Sequence, residues 1–187
     1  MKIAIFASGR GSNAEAVLEA VKNGTLKNVE VAALVSDNPD ARALKVAEKY
    51  GVNAVFIDPK HKGARFSEEG ERDYADFIEK LAPDLIFLLG FMRILPQKFL
   101  EGFKGKILNL HPSLLPAYKG LTPIKRAFEA GEKRTGCTVH YVTAELDGGE
   151  TIAQKTVEIL PSDTLETLEE KIHAEEHKLV VEVLAQI

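Results

Sequence analysis

The sequence predicts an α/β fold with a doubly wound, mostly parallel sheet and an antiparallel addition near the C-terminus. Through the first two-thirds of the 187-residue chain, short apolar segments rich in β-branched residues alternate with segments of helical period. Toward the C-terminus this alternation stops, and a turn-forming Asp-Gly-Gly sequence joins two strand-like segments. The first pattern predicts crossover connections between parallel strands, and the second predicts an antiparallel pair.

The alternating part begins as strand, helix, strand, helix, strand and then continues in a similar way. Its segments are strand Ile3 to Ala7, helix Ala14 to Val21, strand Val29 to Val35, helix Ala41 to Tyr50, strand Ala54 to Ile57, helix Glu71 to Leu81, strand Leu85 to Leu89 and strand Lys106 to Leu110. The segment Leu85 to Leu89 is apolar throughout. Such a strand is typical of a parallel sheet that helices cover on both faces.

After these segments the pattern changes. A proline-containing loop precedes a helix around Ile124 to Ala130, and strands follow at Cys137 to Thr143 and Thr151 to Ile159. Pro161-Ser162-Asp163-Thr164 supplies capping residues for a final helix with one apolar stripe. Because no linker or internal repeat interrupts the chain, we expect residues 1–187 to form a single domain.

Composition and charge exclude several classes of function. The formal net charge is −4 and the basic residues are scattered, which argues against nucleic acid as a ligand. No apolar stretch approaches the roughly 20 residues that a membrane-spanning helix needs. Cys137 is the only cysteine, so a reducing compartment is favoured. Because residues 1–7 also lack the features of a secretory signal, we predict a cytoplasmic protein without nucleic-acid or membrane partners.

A glycine-rich sequence, Ser8-Gly9-Arg10-Gly11-Ser12-Asn13, lies between the first predicted strand and the first predicted helix. Glycines let the backbone approach a ligand closely, and a helix N-terminus attracts phosphate. Together with Ala14 the sequence also fits the dinucleotide-binding pattern G-x-G-x-x-A, and Asp37 lies near the position of that fold's ribose-binding acid. A phosphate site, a dinucleotide site and a plain helix-capping turn therefore remain open.

A second polar sequence, Asn109-Leu110-His111-Pro112-Ser113-Leu114-Leu115-Pro116, stands at the end of a predicted strand, where open α/β sheets bind ligands. Asn109 and His111 share a strand face if the strand reaches His111. A third, Glu145-Leu146-Asp147-Gly148-Gly149, offers a carboxylate that would stabilise protonated His111 as a general acid. Taken singly, the histidine is more typical of a structural role and the Asp-Gly-Gly sequence of a turn.

One further pattern imitates a metal site. His173-Ala174-Glu175-Glu176-His177 matches H-x-x-E-H, in which two histidines one helical turn apart bind zinc. A zinc site of this kind needs a third protein ligand, and Glu182 on the same helix is poorly placed to supply it. We therefore predict that the protein binds no metal.

Together these sequences resemble the phosphoribosylglycinamide formyltransferases, folate-dependent enzymes of purine synthesis. The resemblance extends over nearly the whole chain and rests on five motifs in the same order. They are Ser8-Gly9-Arg10-Gly11-Ser12-Asn13, Gly90-Phe91-Met92-Arg93-Ile94-Leu95, Asn109-x-His111-Pro112-Ser113-Leu114-Leu115-Pro116, Gly136-x-Thr138-Val139-His140 and Glu145-Leu146-Asp147-Gly148-Gly149. It implies the formyltransferase fold and transfer of a formyl group from 10-formyltetrahydrofolate to the amine of glycinamide ribonucleotide, with no metal.

The resemblance also implies the roles of individual residues. The catalytic residues would be Asn109, His111 and Asp147. The substrate would be bound by Gly11, Ser12, Asn13, His173 and Glu176. The folate would be bound by Met92, Arg93, Ile94, Leu95, Asn109, Thr143, Ala144, Glu145, Leu146 and Asp147.

One departure from the family pattern concerns an arginine that relatives carry before the helix preceding Ala82-Pro83-Asp84. This chain has Ser67 there, and Arg65 is the nearest replacement. Three alternatives of function stay open: a formyltetrahydrofolate hydrolase using the same catalytic residues, a nicotinamide-dependent oxidoreductase and a nucleotide-binding module. A homodimer is compatible with the sequence.

Overall fold

The computed structural model describes residues 1–187 and contains seven strands and six helices. In chain order they are β1 (Lys2–Phe6), α1 (Ser12–Lys22), β2 (Glu30–Ser36), α2 (Arg42–Lys49), β3 (Ala54–Phe56), α3 (Glu68–Leu81), β4 (Leu85–Leu88), α4 (Gln97–Gly102), β5 (Lys106–His111), α5 (Pro123–Glu129), β6 (Arg134–Tyr141), β7 (Thr151–Glu158) and α6 (Leu165–Gln186). Every strand that the sequence predicts is present, and each predicted helix is found.

The strands form one sheet in the order β3-β2-β1-β4-β5-β6-β7. β1 pairs in parallel with both β2 and β4, and β2 pairs in parallel with β3. β6 and β7 are antiparallel. The predicted fold class, a mostly parallel sheet with a C-terminal antiparallel addition, is therefore confirmed.

Three details differ from the prediction. α4 was not predicted, because six residues with only Phe99 buried leave no apolar period to detect. α3 begins at Glu68 instead of Glu71, since the Ser67 hydroxyl accepts a hydrogen bond from the Gly70 N–H and caps the helix there. β6 spans Arg134–Tyr141 instead of Cys137 to Thr143, because its pairing with β7 begins at Arg134.

The chain divides into two compact units, an N-terminal unit of Met1–Leu108 and a C-terminal unit of Asn109–Ile187. In the N-terminal unit, β1 and β4 are buried almost throughout, and four aromatic rings pack edge-on or tilted against each other: Phe6, Phe66, Tyr74 and Phe91. In the C-terminal unit, α6 packs on β6 and β7 through the buried stripe Leu168, Ile172, Leu179, Val180, Val183 and Leu184. The single domain over residues 1–187 stays a prediction.

None of the six helices combines the length and the apolar character that a membrane span requires.

Candidate functional site

In the N-terminal unit, the glycine-rich loop connects β1 to α1. Gly11 stands directly before the helix with a positive φ of 77°, and a Cβ at this position would lie 2.7 Å from the Cα of Ala43. Only glycine fits this backbone without a shift of the neighbouring helix. Ser12 and Asn13 open α1, and no side chain caps its N-terminus. The loop therefore presents the start of a helix, where backbone N–H groups favour an anion.

The same unit places the glycine-rich loop beside the segment Met92 to Leu95. The Ser8 hydroxyl accepts a hydrogen bond from the Met92 N–H at 2.8 Å, and the Ser8 N–H donates to the Gly90 carbonyl at 3.1 Å. Met92 and Ile94 expose 60% and 49% of their surface, whereas Leu95 is buried. Exposed apolar side chains next to a polar backbone are suited to an aromatic ligand.

Arg93 turns its side chain toward Asp37 and toward the loop that precedes α3. Its Nε donates to Asp37 Oδ2 at 2.6 Å, and its Nη1 donates to the carbonyl groups of His61, Gly63 and Arg65. The carboxylate of Asp37 is almost fully buried in this contact. A ribose-binding acid needs a carboxylate that ligand hydroxyls can reach, so this geometry argues against the dinucleotide alternative.

In the C-terminal unit, the three predicted catalytic residues lie together. Asn109 and His111 are both on β5, whose last residue is His111, and Asp147 comes from the loop between β6 and β7. The Asp147 carboxylate lies 3.5 Å from His111 Nδ1 and accepts a hydrogen bond from Asn109 Nδ2 at 3.4 Å. The side chains of His111 and Asp147 are each less than one-tenth exposed.

The loop that carries Asp147 depends on a glycine that follows, Gly149. Asp147 itself has a positive φ of 49°. A Cβ on Gly149 would lie 1.8 Å from the Tyr141 carbonyl oxygen, and one on Gly148 would lie 2.3 Å from the Glu145 side chain. The Gly120 N–H donates to Asp147 Oδ2 at 2.8 Å. Gly149 is therefore needed for the path of the backbone, and that path places the carboxylate, whereas a Cβ on Gly148 would meet only the exposed Glu145 side chain.

Both ring nitrogens of His111 face acceptors. Nε2 lies 3.0 Å from the Tyr118 carbonyl oxygen, and a carbonyl can only accept, so Nε2 carries a proton. Nδ1 faces the Asp147 carboxylate. A proton on each nitrogen would satisfy both contacts, which suits a histidine that acts as a general acid or as a cationic donor.

Asp147 is held as a carboxylate. Burial by itself would raise the pKa of Asp147, but the contact with His140, the Gly120 N–H and the charges of both histidines outweigh burial and hold this pKa below its usual value. Asp147 is consequently ionised at neutral pH. An ionised Asp147 next to His111 is what the predicted acid chemistry requires.

The sequence analysis did not assign a role to His140, which the structure places in the same cluster. His140 Nε2 lies 3.1 Å from Asn109 Nδ2 and 3.6 Å from Asp147 Oδ1, and the residue is only 2% exposed. The signal in the sequence was a polar side chain next to the buried positions Cys137 to Val139 of one strand. That pattern indicates a buried polar residue, but it does not show which side chains the residue contacts.

A family model described as formyl transferase matches residues 1–184. The chain belongs to the formyl transferase family. Phosphoribosylglycinamide formyltransferase of Bacillus subtilis (strain 168) is 41% identical over 190 residues, covering 100% of this chain and 94% of that protein. The Haemophilus influenzae protein of the same name is 40% identical, covering 95% of this chain and 82% of that protein.

A solved structure agrees with these relatives. The crystal structure of phosphoribosylglycinamide formyltransferase from Bacillus halodurans matches with a TM-score of 0.92 and 40% identity, covering 100% of this chain and 94% of that chain. At this identity the likeness includes the sequence as well as the fold. The formyl transferase fold predicted from the sequence is thereby confirmed.

The departure from the family's arginine pattern has a structural explanation in part. Ser67 caps α3, so it has a defined structural role in this formyl transferase. Arg65 is exposed, and its carbonyl accepts a hydrogen bond from Arg93 Nη1 at 3.3 Å. That Arg65 replaces the missing arginine stays a prediction.

The remaining predicted residues lie on exposed loops and on α6. The β6–β7 loop exposes the predicted residues Thr143, Ala144, Glu145 and Leu146, and Glu145 pairs with Lys119 at 2.7 Å. On α6, His173 Nδ1 lies 2.8 Å from Glu176 Oε2, and Glu176 is buried. The structure contains no group of three or more side chains that could hold a metal ion, and the absence of a metal stays a prediction.

Proposed function

We propose that this formyl transferase moves the formyl group of 10-formyltetrahydrofolate to the amine of glycinamide ribonucleotide, giving N-formylglycinamide ribonucleotide. The observation that carries the proposal is the contact of Asn109, His111 and Asp147 within the C-terminal unit. The two relatives and the solved structure named above, all phosphoribosylglycinamide formyltransferases, support the choice of substrates.

The residues fit the chemistry of formyl transfer. The amine nitrogen attacks the formyl carbon, and the formyl oxygen becomes an oxyanion in the tetrahedral intermediate. The bond from carbon to the folate nitrogen N10 then breaks, N10 gains a proton and the amine loses one. N–H groups of Asn109 and His111 would stabilise the oxyanion, and the loss of one such donor costs about 3 kcal/mol of barrier.

Asp147 would keep His111 protonated and would position a water that carries the proton from the amine to N10. The carboxylate is suited to this role because its pKa is held below the usual value. In the structure the Tyr118 carbonyl accepts the Nε2 proton of His111. If Nε2 donates to the formyl oxygen, its hydrogen bond to the Tyr118 carbonyl is replaced by a hydrogen bond to the substrate.

Binding roles follow from the N-terminal unit and from α6. We propose that Gly11, Ser12 and Asn13 bind the phosphate of the ribonucleotide and that the backbone of Met92 to Leu95 binds the folate ring. His173 and Glu176 would contact the ribose, and Thr143 to Asp147 would contact the folate. We propose further that the chain acts as one formyltransferase domain in the cytoplasm. A homodimer stays a prediction.

The test is the absorbance change of a 10-formylfolate donor with and without glycinamide ribonucleotide. Folate release that requires the ribonucleotide, together with a formylated product, supports the transferase. Equal release without the ribonucleotide would instead identify a hydrolase that uses water as the acceptor. No release under either condition would contradict the proposal and return the glycine-rich loop to the nucleotide-binding alternatives.

A further inference from the structure

The loop of residues 61–65, which precedes α3 in the N-terminal unit, has no apolar core of its own. All five of its residues are exposed. Its two ends are joined by a hydrogen bond from the Ser67 N–H to the Pro59 carbonyl at 3.0 Å, and Gly63 has a left-handed φ of 81°. Because the loop buries none of its residues, its position depends on the hydrogen bonds of its backbone.

The backbone of this loop is attached to the segment that follows β4. Arg93 Nη1 contacts three of its carbonyl oxygens, those of His61, Gly63 and Arg65. The Ala64 carbonyl accepts a hydrogen bond from the Ile94 N–H at 2.8 Å. The carbonyl groups of the 61–65 loop therefore converge on one guanidinium group and on the backbone next to it.

A guanidinium group is suited to this position. It presents several N–H donors in a rigid plane, so it can bind acceptors on two sides at once. Carbonyl oxygens that meet at one point repel each other unless a donor lies between them. Water could satisfy each oxygen singly, but it would not connect the loop to the end of β4. The Arg93 side chain provides both the donors and the connection.

Asp37 restricts the side chain of Arg93. Asp37 Oδ2 accepts a hydrogen bond from Arg93 Nε at 2.6 Å, and the two side chains are only 6% and 15% exposed. An arginine side chain has many rotamers, and a buried, charge-assisted hydrogen bond limits it to few of them. Asp37 directly follows β2, whereas Arg93 follows β4. The ion pair therefore attaches the 61–65 loop to the ends of two strands of the sheet.

The attached loop lies beside the exposed apolar side chains of the segment after β4. Met92 and Ile94 are these side chains, and the hydrogen bond from the Ile94 N–H to the Ala64 carbonyl joins the loop to them directly. A ligand binds more tightly to a surface that is already ordered, because binding then does not have to order it. The fixed position of the loop therefore affects any ligand that binds on Met92 and Ile94.

We propose that Asp37 and Arg93 are positioning residues for folate binding. Arg93 gathers the carbonyl groups of the 61–65 loop, and Asp37 holds Arg93, so that the pair keeps one wall of the folate site in place. The inference rests on the proposed function, because folate binding by the segment after β4 belongs to that proposal. It assigns the Arg93 side chain to the loop instead of the ligand, and it gives Asp37 no contact with folate.

The binding test measures the Kd of the 10-formylfolate donor by isothermal titration calorimetry without the ribonucleotide. Arg93→Met removes the guanidinium group, and Asp37→Ala removes its partner. We expect each change to raise this Kd at least about 10-fold, as for a loop that is in place in about one-tenth of the molecules. Asp37→Asn should recover most of the affinity, because its amide oxygen still accepts the Nε proton. Unchanged affinity in the methionine and alanine variants, or equal losses in the alanine and asparagine variants, would overturn the proposal.

A double-mutant cycle tests whether the two residues act through one contact. Adding Asp37→Ala to Arg93→Met should raise the Kd by less than about 2-fold further, and full multiplication of the single effects would contradict the proposal. Urea unfolding shows which variants are folded, and Arg93→Lys replaces any that is not. The single nitrogen of a lysine cannot take the places of both Nε and Nη1, so this variant should also lose folate affinity. Wild-type affinity of Arg93→Lys would contradict the proposal.

Limited proteolysis tests the loop without folate. Trypsin cuts after Lys62 and Arg65, which are exposed, and cleavage requires the loop to leave its contacts. We expect cleavage at these two sites to be at least about 10-fold faster in Arg93→Met and in Asp37→Ala than in the wild type. Equal cleavage rates would overturn the proposal.

Lys49→Met, which breaks an exposed ion pair with Glu15, is the matched control and should bind folate and be cleaved as the wild type is. The two possible failures give different results. Variants that are cleaved faster and bind folate weakly, with a wild type that transfers no formyl group, would contradict the proposed function and leave the role of the ion pair standing. A wild type that transfers formyl groups, with variants that bind folate as tightly, would contradict the positioning role alone.

Discussion

At the scale of single residues, Asp147 has the largest number of partners in the polar cluster. Its carboxylate meets His111, His140, the Asn109 amide and the Gly120 N–H. A buried carboxylate is stable only with several donors of this kind. The negative charge strengthens each of these contacts, so a substitution that keeps the shape and removes the charge tests what the charge contributes.

The first prediction concerns turnover. Asp147→Asn keeps the size of the side chain and removes its charge, so His111 loses the partner that favours its protonated form. We expect kcat for formyl transfer to fall at least about 10²-fold, while the protein stays folded. Steady-state kinetics with both substrates would measure the loss. Asp73→Asn, which removes an exposed carboxylate paired with Lys60, is the matched control, and near-normal turnover of Asp147→Asn would remove this residue from the mechanism.

The second prediction concerns stability in acid. The pKa of Asp147 is lowered in the folded chain, so its ionised form stabilises the fold at pH values above the usual carboxyl pKa of 3.8. This contribution is lost as pH falls through the lowered pKa. We expect the difference in unfolding free energy between the wild type and Asp147→Asn to shrink below about pH 4. Urea unfolding at a series of pH values measures it, and a difference that grows toward low pH would contradict the assignment.

At the scale of elements, the β6–β7 loop shows how backbone geometry determines chemistry. The loop leaves β6 at Tyr141 although Val142 and Thr143 favour strand structure by their β-branched side chains. Gly149 packs against the Tyr141 carbonyl, where any side chain would collide. Gly149 therefore packs against Tyr141 at the point where the chain leaves the strand. This packing contributes to the position of Asp147.

The third prediction tests this packing. Gly149→Ala places a Cβ only 1.8 Å from the Tyr141 carbonyl oxygen, so the loop has to move. We expect a loss of about 1–3 kcal/mol of unfolding free energy. We also expect kcat to fall further than in a variant that is destabilised by the same amount away from this loop. Gly102→Ala, at the end of α4 with open space around it, is the control. Equal behaviour of the two alanine variants would contradict the role of Gly149.

At the scale of the whole molecule, a ligand that binds only the folded chain raises its stability by mass action. We expect glycinamide ribonucleotide at 100 times its Kd to add about 2.7 kcal/mol to the unfolding free energy. The matched control is the riboside without its phosphate at the same concentration, which should add much less if Gly11, Ser12 and Asn13 bind phosphate. Equal stabilisation by both compounds, measured by thermal unfolding, would exclude a phosphate site on this chain.

Most elements of the whole fold could be predicted from the sequence. All strands and most helices could be predicted, because the spacing of apolar residues, every two or every 3.6 positions, can be recognised within a short stretch of sequence. α4 could not, since six residues give too few turns for a period. Among the candidate site residues, the contact of His111 with Asp147 was expected. The ion pair of Arg93 with Asp37 was not expected, although Asp37 follows β2, Arg93 follows β4, and only β1 separates these two strands in the sheet.

By itself, the sequence determined the order of strands and helices, the glycine-rich loop, the Asp-Gly-Gly turn and the residue types available for acid chemistry. Only the tertiary structure decided that His140 joins Asn109 and that the Tyr118 carbonyl meets His111. The reason is physical. Periodicity and turn chemistry act between near neighbours, whereas the contact of Asn109 with His140 joins residues 31 positions apart and depends on strand register and loop path together.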